Sequence, residues 1–383
     1  MKSYSDIHQD VRTIIITSSL ALGGSEKILY NLCNSKIKKN VFVINLSEEQ
    51  YFSKKLKDSG IGVYNCSLNK KNNLLKKLIK IFFIIREFKP KNIQTWMYHA
   101  DFLSLIIKIA FPSKNIFWGI RNGSYELKKQ TFILIFILSI FSYLVPNKII
   151  SCSNASTMMH IKFGYNKKKI VTINNGVDFH TFRKDQNLRI NARSKYALND
   201  KDFIFSMVAR WDPQKDHITA IKAFDCLTRN HREKVFLILA GTKIDSTNDI
   251  LMEEINKRDL QSRIILAGET NLIEDIYNLS DVNILCSKNG EGFPNVISES
   301  MACGTPCIST NSGDASKIIN EYGWIIEENN PKKLSEAMLL AIQEMKNKDN
   351  WIKKSNNSIM HIKSNFSIDG MVDRYCDVWK INF

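Results

Sequence analysis

The sequence predicts an α/β fold built as two successive doubly wound parallel sheets. Three observations carry that expectation. Short apolar runs alternate with helix-patterned segments along the whole chain. The alternation occurs in two halves that share architecture but not sequence. A length of 383 residues with 44% hydrophobic content suffices for two cores of ordinary size.

In the first half the strand-like runs are Arg12–Ser18, Val41–Leu46, Ile61–Cys66, Ile93–Tyr98, Ile116–Ile120, Lys148–Cys152 and Ile170–Ile173. Helical patterns fall between most of them, as at Lys27–Asn34 and Leu74–Phe88. In the second half the strands are expected at Phe203–Val208, Val235–Leu239, Ile264–Ala267, Val282–Cys286, Pro306–Ser309 and Trp324–Ile326. Helices are expected at Ile218–Leu227, Ile273–Leu279, Val296–Ala302 and Leu334–Met345. The polar stretch Asp178–Asp202 reads as the boundary. The expected division is 1–180, 181–365, and a final helix 366–383 that returns to the first domain. Two Rossmann-like domains then face each other across a cleft.

The charge is unevenly placed. The chain carries +16 overall, yet residues 1–180 hold 27 Lys and Arg against 10 Asp and Glu, and residues 181–383 hold 27 against 28. All the excess is in the first half, which points to an anionic surface as its partner. Within that half, Leu68–Lys91 mixes lysines with Leu, Ile and Phe at helical spacing. Thr131–Val145 is apolar and uncharged. At ~1.5 Å per residue this run is too short for a hydrocarbon core of ~30 Å, so a spanning helix is not expected. Two readings remain: a buried core helix, or a helix set into a membrane interface beside the lysine-rich one. The uneven charge favours the second.

Other classes are excluded more simply. The eight cysteines are scattered without paired zinc-ligand spacing, so no metal site is expected. Cys152, Cys226 and Cys286 read as small buried hydrophobes. Residues 1–10 lack an apolar signal segment, which with the cysteine usage predicts a reduced, cytoplasmic setting. No G-x-G-x-x-G nicotinamide or flavin fingerprint occurs. No helix-turn-helix, zinc finger or RNA-binding strand motif occurs, so nucleic acid is not an expected partner.

The chemistry-bearing residues sit where strands end. Glu291-Gly292-Phe293-Pro294-Asn295-Val296-Ile297-Ser298-Glu299 follows one strand and opens a helix. Ligands of doubly wound sheets bind beyond the carboxyl ends of strands. A carboxylate there accepts hydrogen bonds from sugar or ribose hydroxyls. The N–H groups of Asn295 and Val296 suit a phosphate at a helix amino end. Arg210 and Lys215 follow the strand Phe203–Val208, placed to neutralise a departing diphosphate. Gly23-Gly24 follows the first strand, where glycines let backbone approach a ligand. Gly268-Glu269-Thr270-Asn271 follows the strand at Ile264. His99 and Arg121 end two strands of the first half.

The acidic motif, the Arg210–Lys215 pair, the Gly23-Gly24-Ser25-Glu26 loop, Cys303-Gly304-Thr305-Pro306 and Asn175-Gly176-Val177-Asp178 together resemble the retaining nucleotide-sugar glycosyltransferases of family 4, which have the GT-B fold. The resemblance runs from Gly23 to about Ser364. It implies a donor site in the second domain. Arg210 and Lys215 would clamp the diphosphate, Glu291 would contact the transferred sugar, and Glu299 would hold the ribose. Gly268 to Asn271 would meet the base, and Gly292, Phe293 and Pro294 would shape the loop. Many members carry a His where this chain has Arg121, so His99 and Arg121 both remain candidates for the sugar-contacting group. Trp96-Met97-Tyr98-His99 and Trp118-Gly119-Ile120-Arg121 look like a bacterial subgroup that builds O-antigen or capsule.

The implied activity is retaining, metal-independent transfer with no cofactor. A UDP-hexose or UDP-N-acetylhexosamine would serve as donor, and an undecaprenyl-diphosphate-linked glycan at the cytoplasmic face of the inner membrane as acceptor. The alternatives are a non-catalytic basic membrane- or nucleic-acid-binding protein and a nucleotide-sugar epimerase of related fold.

Overall fold

The computed structural model describes residues 11–68, 73–123, 128–230 and 234–381. Residues 1–10, on which the expected lack of an export signal rests, lie outside the described residues. So do 69–72 of the lysine-rich segment and 382–383 of the final one. The chain folds as two compact units. One ends at Gly176 and resumes at Ile368; the other runs from Val177 to Ser367.

The described residues of the first unit form strands β1 (Thr13–Thr17), β2 (Val41–Asn45), β3 (Gly62–Asn65), β4 (Asn92–Trp96), β5 (Asn115–Ile120), β6 (Lys148–Ser151) and β7 (Ile170–Thr172). All pair in parallel in the order β3-β2-β1-β4-β5-β6-β7. The helices are α1 (Gly24–Cys33), α2 (Tyr51–Asp58), α3 (Leu74–Phe88), α4 (Tyr98–Ala110), α5 (Lys129–Phe141) and α6 (Asn154–Lys162). β1, β2 and β4 are buried at every residue, as a sheet covered on both faces requires. One face packs Ile81, Ile84 and Ile85 of α3, Leu103 and Ile107 of α4, and Ile135 and Leu138 of α5. The other packs α1 and α2 through Ile28, Leu29, Leu32, Phe52 and Leu56.

The second unit repeats the plan with β8 (Phe203–Val208), β9 (Val235–Ala240), β10 (Ile264–Gly268), β11 (Val282–Leu285), β12 (Cys307–Thr310) and β13 (Trp324–Ile326). Their order is β10-β9-β8-β11-β12-β13, again parallel. The helices are α7 (Gln186–Lys195), α8 (His217–Asn230), α9 (Asp249–Asn256), α10 (Ile273–Leu279), α11 (Asn295–Ala302), α12 (Ala315–Ile319), α13 (Pro331–Met345) and α14 (Lys348–Phe366). The last helix, α15 (Ile368–Trp379), belongs to the first unit. There Met371, Val372, Tyr375 and Trp379 join the α1–α2 side of the core. Asn92 donates to the Trp379 carbonyl at 2.9 Å, and the Trp379 indole donates to Gln94 at 3.0 Å.

Both sheets reverse direction once. In the first, the chain steps outward from β1 to β3 and restarts at β4 on the other side of β1. In the second, it steps from β8 to β10 and restarts at β11 beside β8. Each reversal leaves a crevice at the carboxyl ends of the two central strands, where the loops diverge.

Every run read as a strand forms one, with ends moved by one or two residues. The largest shift is at Ile93–Tyr98, where the strand stops at Trp96. Met97 takes φ 77 and turns the chain into α4. The polar stretch Asp178–Asp202 lies within the second unit and contains α7. Asp185 caps that helix by accepting from the Asn187 and Leu188 N–H groups. Arg189 and Arg193 pair with Asp281 at 2.6 and 2.9 Å, tying α7 to the loop before β11. Cys226 corrects the sequence reading. It is exposed, because α8 turns Ile221, Phe224 and Leu227 to the core and Cys226 away from it. Among the described residues, no helix is long and apolar enough to cross a membrane.

Candidate active site

The β8 and β11 loops bring the strongest candidates together. The β8 loop starts at Ala209 and is folded tightly by Asp212, whose carboxylate accepts from the Gln214 N–H at 2.9 Å and pairs with Arg210 at 3.0 Å. Lys215 follows, and its ammonium reaches Glu291 Oε1 at 2.5 Å. The Ser287 hydroxyl donates to the same oxygen at 2.6 Å. Both charged groups are largely withdrawn from water, at 16% and 12% exposure, while Arg210 stays 60% exposed. Two further bonds zip the loops together. The Gln214 side chain donates to the Asn289 carbonyl at 2.7 Å, and the Lys288 N–H donates to the Gln214 carbonyl at 2.9 Å.

The loop carrying Glu291 is held from behind. Gly313 has φ +63, and a Cβ there would lie 2.4 Å from the Gly292 carbonyl oxygen. The neighbouring Asp314 N–H donates to that same oxygen at 3.0 Å. Phe293 is buried against Phe366, with ring centres 5.4 Å apart. Pro294 occupies the position before α11, and Asn295 and Val296 form its first turn. Thus the acidic motif presents Glu291 and a helix amino end from one short loop.

Glu299 lies within α11 and is 8% exposed. The Tyr277 hydroxyl donates to its Oε2 at 3.4 Å. Burial together with that carboxylate pushes the Tyr277 phenol well above its ordinary range, which keeps it a neutral donor. Gly268 ends β10 with φ +67, and Glu269, Thr270 and Asn271 form the loop after it. Thr270 Oγ1 accepts from the Leu272 N–H at 3.1 Å, which shapes that loop. Trp211, beside Arg210, lies against the His217 ring at 5.2 Å. Burial holds His217 neutral, with its pKa lowered to about 4.

In the first unit the reversal lies between β1 and β4. Gly23 precedes α1 in extended backbone, and Gly24 begins the helix. The Glu26 carboxylate folds back over Gly23, where a Cβ would stand 2.4 Å from Oε2. Burial raises the Glu26 pKa. The Trp96 indole at the end of β4 donates to Ser25 at 2.9 Å, joining the two central loops. His99 is exposed in the first turn of α4. Arg121, after β5, is engaged differently. Its guanidinium lies 3.5 Å from the centre of the Trp96 ring and donates to Asn175 at 2.9 Å and to the Tyr375 hydroxyl.

Some partners were not singled out from sequence. Asp212, Ser287, Gly313 and Tyr277 each position a predicted residue. Asp212 alone carried a visible signal, an acid two residues from Arg210. Among the described residues, no group of three His, Cys, Asp or Glu is placed to hold a metal ion.

Residues 189–358 match the family described as glycosyl transferases group 1. The chain carries a glycosyl transferases group 1 domain. The match takes in Arg210, Lys215, Glu291 and Glu299, and so contains the whole β8–β11 crevice.

Similar proteins agree with this assignment. The chain is 26% identical over 312 residues to the Escherichia coli UDP-Gal:alpha-D-GlcNAc-diphosphoundecaprenol alpha-1,3-galactosyltransferase, covering 80% of this chain and 79% of that one. It is 22% identical over 348 residues to the Campylobacter jejuni N-acetylgalactosamine-N,N'-diacetylbacillosaminyl-diphospho-undecaprenol 4-alpha-N-acetylgalactosaminyltransferase, covering 87% and 90%. The crystal structure of Anabaena HepE in complex with UDP superposes with a TM-score of 0.85 at 17% identity, over 97% of this chain and all of that one. The chain therefore has the GT-B fold, with two Rossmann-like parallel-sheet domains.

Proposed function

We propose that this group 1 glycosyltransferase is a retaining hexosyltransferase. Its donor is a UDP-hexose or UDP-N-acetylhexosamine, and its acceptor an undecaprenyl-diphosphate-linked glycan in bacterial surface-polysaccharide assembly. The observation that carries the reading is the meeting of Lys215 and Glu291 in the β8–β11 crevice, where a doubly wound sheet takes its ligand. Supporting it, two relatives are named for transfer to diphosphoundecaprenol-linked sugars, one of them from a UDP-sugar, and HepE binds UDP.

In this reading Arg210 and Lys215 neutralise the charge that develops on the departing diphosphate. Withdrawn from water, Lys215 interacts more strongly with a phosphate than an exposed lysine would. An arriving diphosphate draws the ammonium away from Glu291, which is then free to accept hydrogen bonds from the sugar hydroxyls. Glu299 accepts from the ribose, the α11 amino end takes a phosphate oxygen, and the Gly268–Asn271 loop meets the base. Transfer proceeds on one face of the sugar. The bond from C1 to the diphosphate oxygen breaks and the acceptor oxygen bonds to C1 on that same face. The acceptor proton passes to a diphosphate oxygen. Two cationic side chains serve the leaving group, so no metal is required. The enzyme works at the cytoplasmic face of the inner membrane, where its acceptor is anchored.

Calorimetric titration with UDP, GDP and ADP, with and without magnesium, tests the donor site. UDP should bind in either condition and fail to bind Glu299→Ala. Full transfer in excess chelator is the second expectation; a loss restored by magnesium would overturn the metal-free mechanism. Conversion of the donor without acceptor would instead indicate an epimerase.

A further inference from the structure

The first unit carries a surface that the transfer reaction does not use. Helices α3, α4 and α5 lie side by side on one face of the sheet, and each turns an apolar stripe outward. On α3 the stripe is Leu75, Ile79 and Phe83, at 71, 56 and 54% exposure. On α4 it is Phe102, Ile106 and Ile109, the last 82% exposed. On α5 it is Phe132, Phe136 and Ile140, continued by Leu144 at 73%. The spacing of three or four residues places each set along one helix face. The run Thr131–Val145 is therefore only half a core helix. Ile135 and Leu138 are buried, and most of its other large side chains face water. Patches of this kind mark interaction sites.

Two grooves flank the turn that follows α5. One, of about 260 Å³, lies between α4 and α5 and is lined by Leu105, Ile106, Ile109, Phe141 and Leu144, with Lys108 at its edge. The other, of about 400 Å³, is lined by Tyr143, Ile161, Asn166, Lys167 and Lys168. Lysines gather around both. Lys108 donates to the Pro112 and Lys114 carbonyls at 2.8 and 2.9 Å, and Lys169 to the Tyr143 carbonyl at 2.7 Å. Burial and the nearness of Lys108 lower the Lys169 pKa. Among the described residues, no carboxylate pairs with Lys108, Lys148, Lys167, Lys168 or Lys169. An apolar groove thus adjoins a basic one whose charge the protein leaves uncompensated.

We propose that this face docks on a bilayer containing anionic phospholipid. An acyl segment enters the groove between α4 and α5, and a lipid phosphate is held beside Lys167 and Lys168. The charge argues for this occupant over a second copy of the chain, whose matching face would bring the same lysines together. The surface deepens the proposal of a membrane-anchored acceptor and rests on it. α4 begins at the crevice with His99 and ends at the lipid groove with Ile109, so a helix of 13 residues links the two places.

Sedimentation with vesicles tests the docking. Phosphatidylcholine vesicles are compared with vesicles containing phosphatidylglycerol, at low salt and at 0.15 M salt, roughly the physiological ionic strength. The protein should bind the anionic vesicles at least tenfold more tightly, and less so as salt rises. The exposed double variants Ile109→Glu/Leu144→Glu and Lys167→Glu/Lys168→Glu should each lose that binding at least tenfold while UDP titration stays unchanged. Equal binding to both vesicles, none to either, or retention by both variants would overturn the proposal. So would a dimer in sedimentation equilibrium that the apolar variant dissolves. UDP binding without vesicle binding sinks the surface alone; vesicle binding without nucleotide binding sinks the transferase reading alone.

Discussion

Lys215 and Glu291 are 76 residues apart in the chain and 2.5 Å apart in space. The pair exists because β11 inserts beside β8, so the loops after these two strands share one crevice. Lys215→Ala should lower transfer by about 10²- to 10³-fold, the usual loss when one preorganised charge-stabilising group is removed. Glu291→Gln keeps the shape and Ser287 as a partner, and should lower the rate with little change in UDP affinity. Steady-state transfer kinetics beside UDP titration read both effects. Full activity in both variants would remove the crevice from the mechanism.

Arg121 is placed to hold the returning helix. It lies against Trp96 and donates to Tyr375, so it links β4 and β5 to α15. Burial raises the Tyr375 pKa to about 12, with Arg121 pulling it back down. Arg121→Ala should cost about 2 kcal/mol, combining a lost cation–π contact with lost charge-assisted bonds. Urea denaturation measures that cost. His99→Ala, at an exposed position, should leave stability unchanged, so a fall in its transfer rate would assign the sugar contact to His99.

Much of this was legible because buried parallel strands are short apolar runs, and neither face needs polar residues. The motif residues could also be placed at strand ends, since the switch from strand to helix pattern is local. The Lys215–Glu291 contact was not legible, because it depends on strand order. Helix α7 lies in the polar stretch that reads as the domain boundary, because its stability comes from Arg189 and Arg193 on Asp281 and from the Asp185 cap, with little apolar periodicity. The run Thr131–Val145 has no charged residues to mark its outer face, and its serines Ser139 and Ser142 are on the buried side, so composition left its two sides indistinguishable.

Stability should pass through a maximum near neutral pH. Asp101 is fully buried, and burial raises its pKa to about 8, against an accepting bond from the Thr95 hydroxyl. A raised carboxyl pKa means the folded state holds a proton that the unfolded chain releases near pH 3.8, so stability falls as pH climbs toward 8. His160 and His217 act oppositely. Burial lowers both to about 4, so the unfolded chain binds protons first and stability falls as pH drops from 6.5 toward 4. The two histidines outweigh Asp101 below 6.5, and between 6.5 and 8 Asp101 acts without them. Urea melts from pH 4 to 8 should rise to about 6.5 and then decline. Asp101→Asn should abolish the decline.

Gly313 sets the position of Glu291 without touching its side chain. Its φ of +63 suits glycine, and the carbonyl oxygens of Gly292 and Glu291 would lie 2.4 and 2.6 Å from any Cβ. Both obstacles are backbone, so a larger residue must move the loop and cannot simply displace a side chain. Gly313→Ala should destabilise the fold by about 2 kcal/mol, from the left-handed backbone and the forced shift together. It should also lower transfer more than UDP binding. The Glu291 carboxylate, proposed to contact the sugar, moves with the loop, whereas the Glu299 contact to Tyr277 lies on α11 and α10. A variant that loses stability yet keeps its full rate after correction for folded fraction would show that the 312–314 loop supports the fold and not the placement of Glu291.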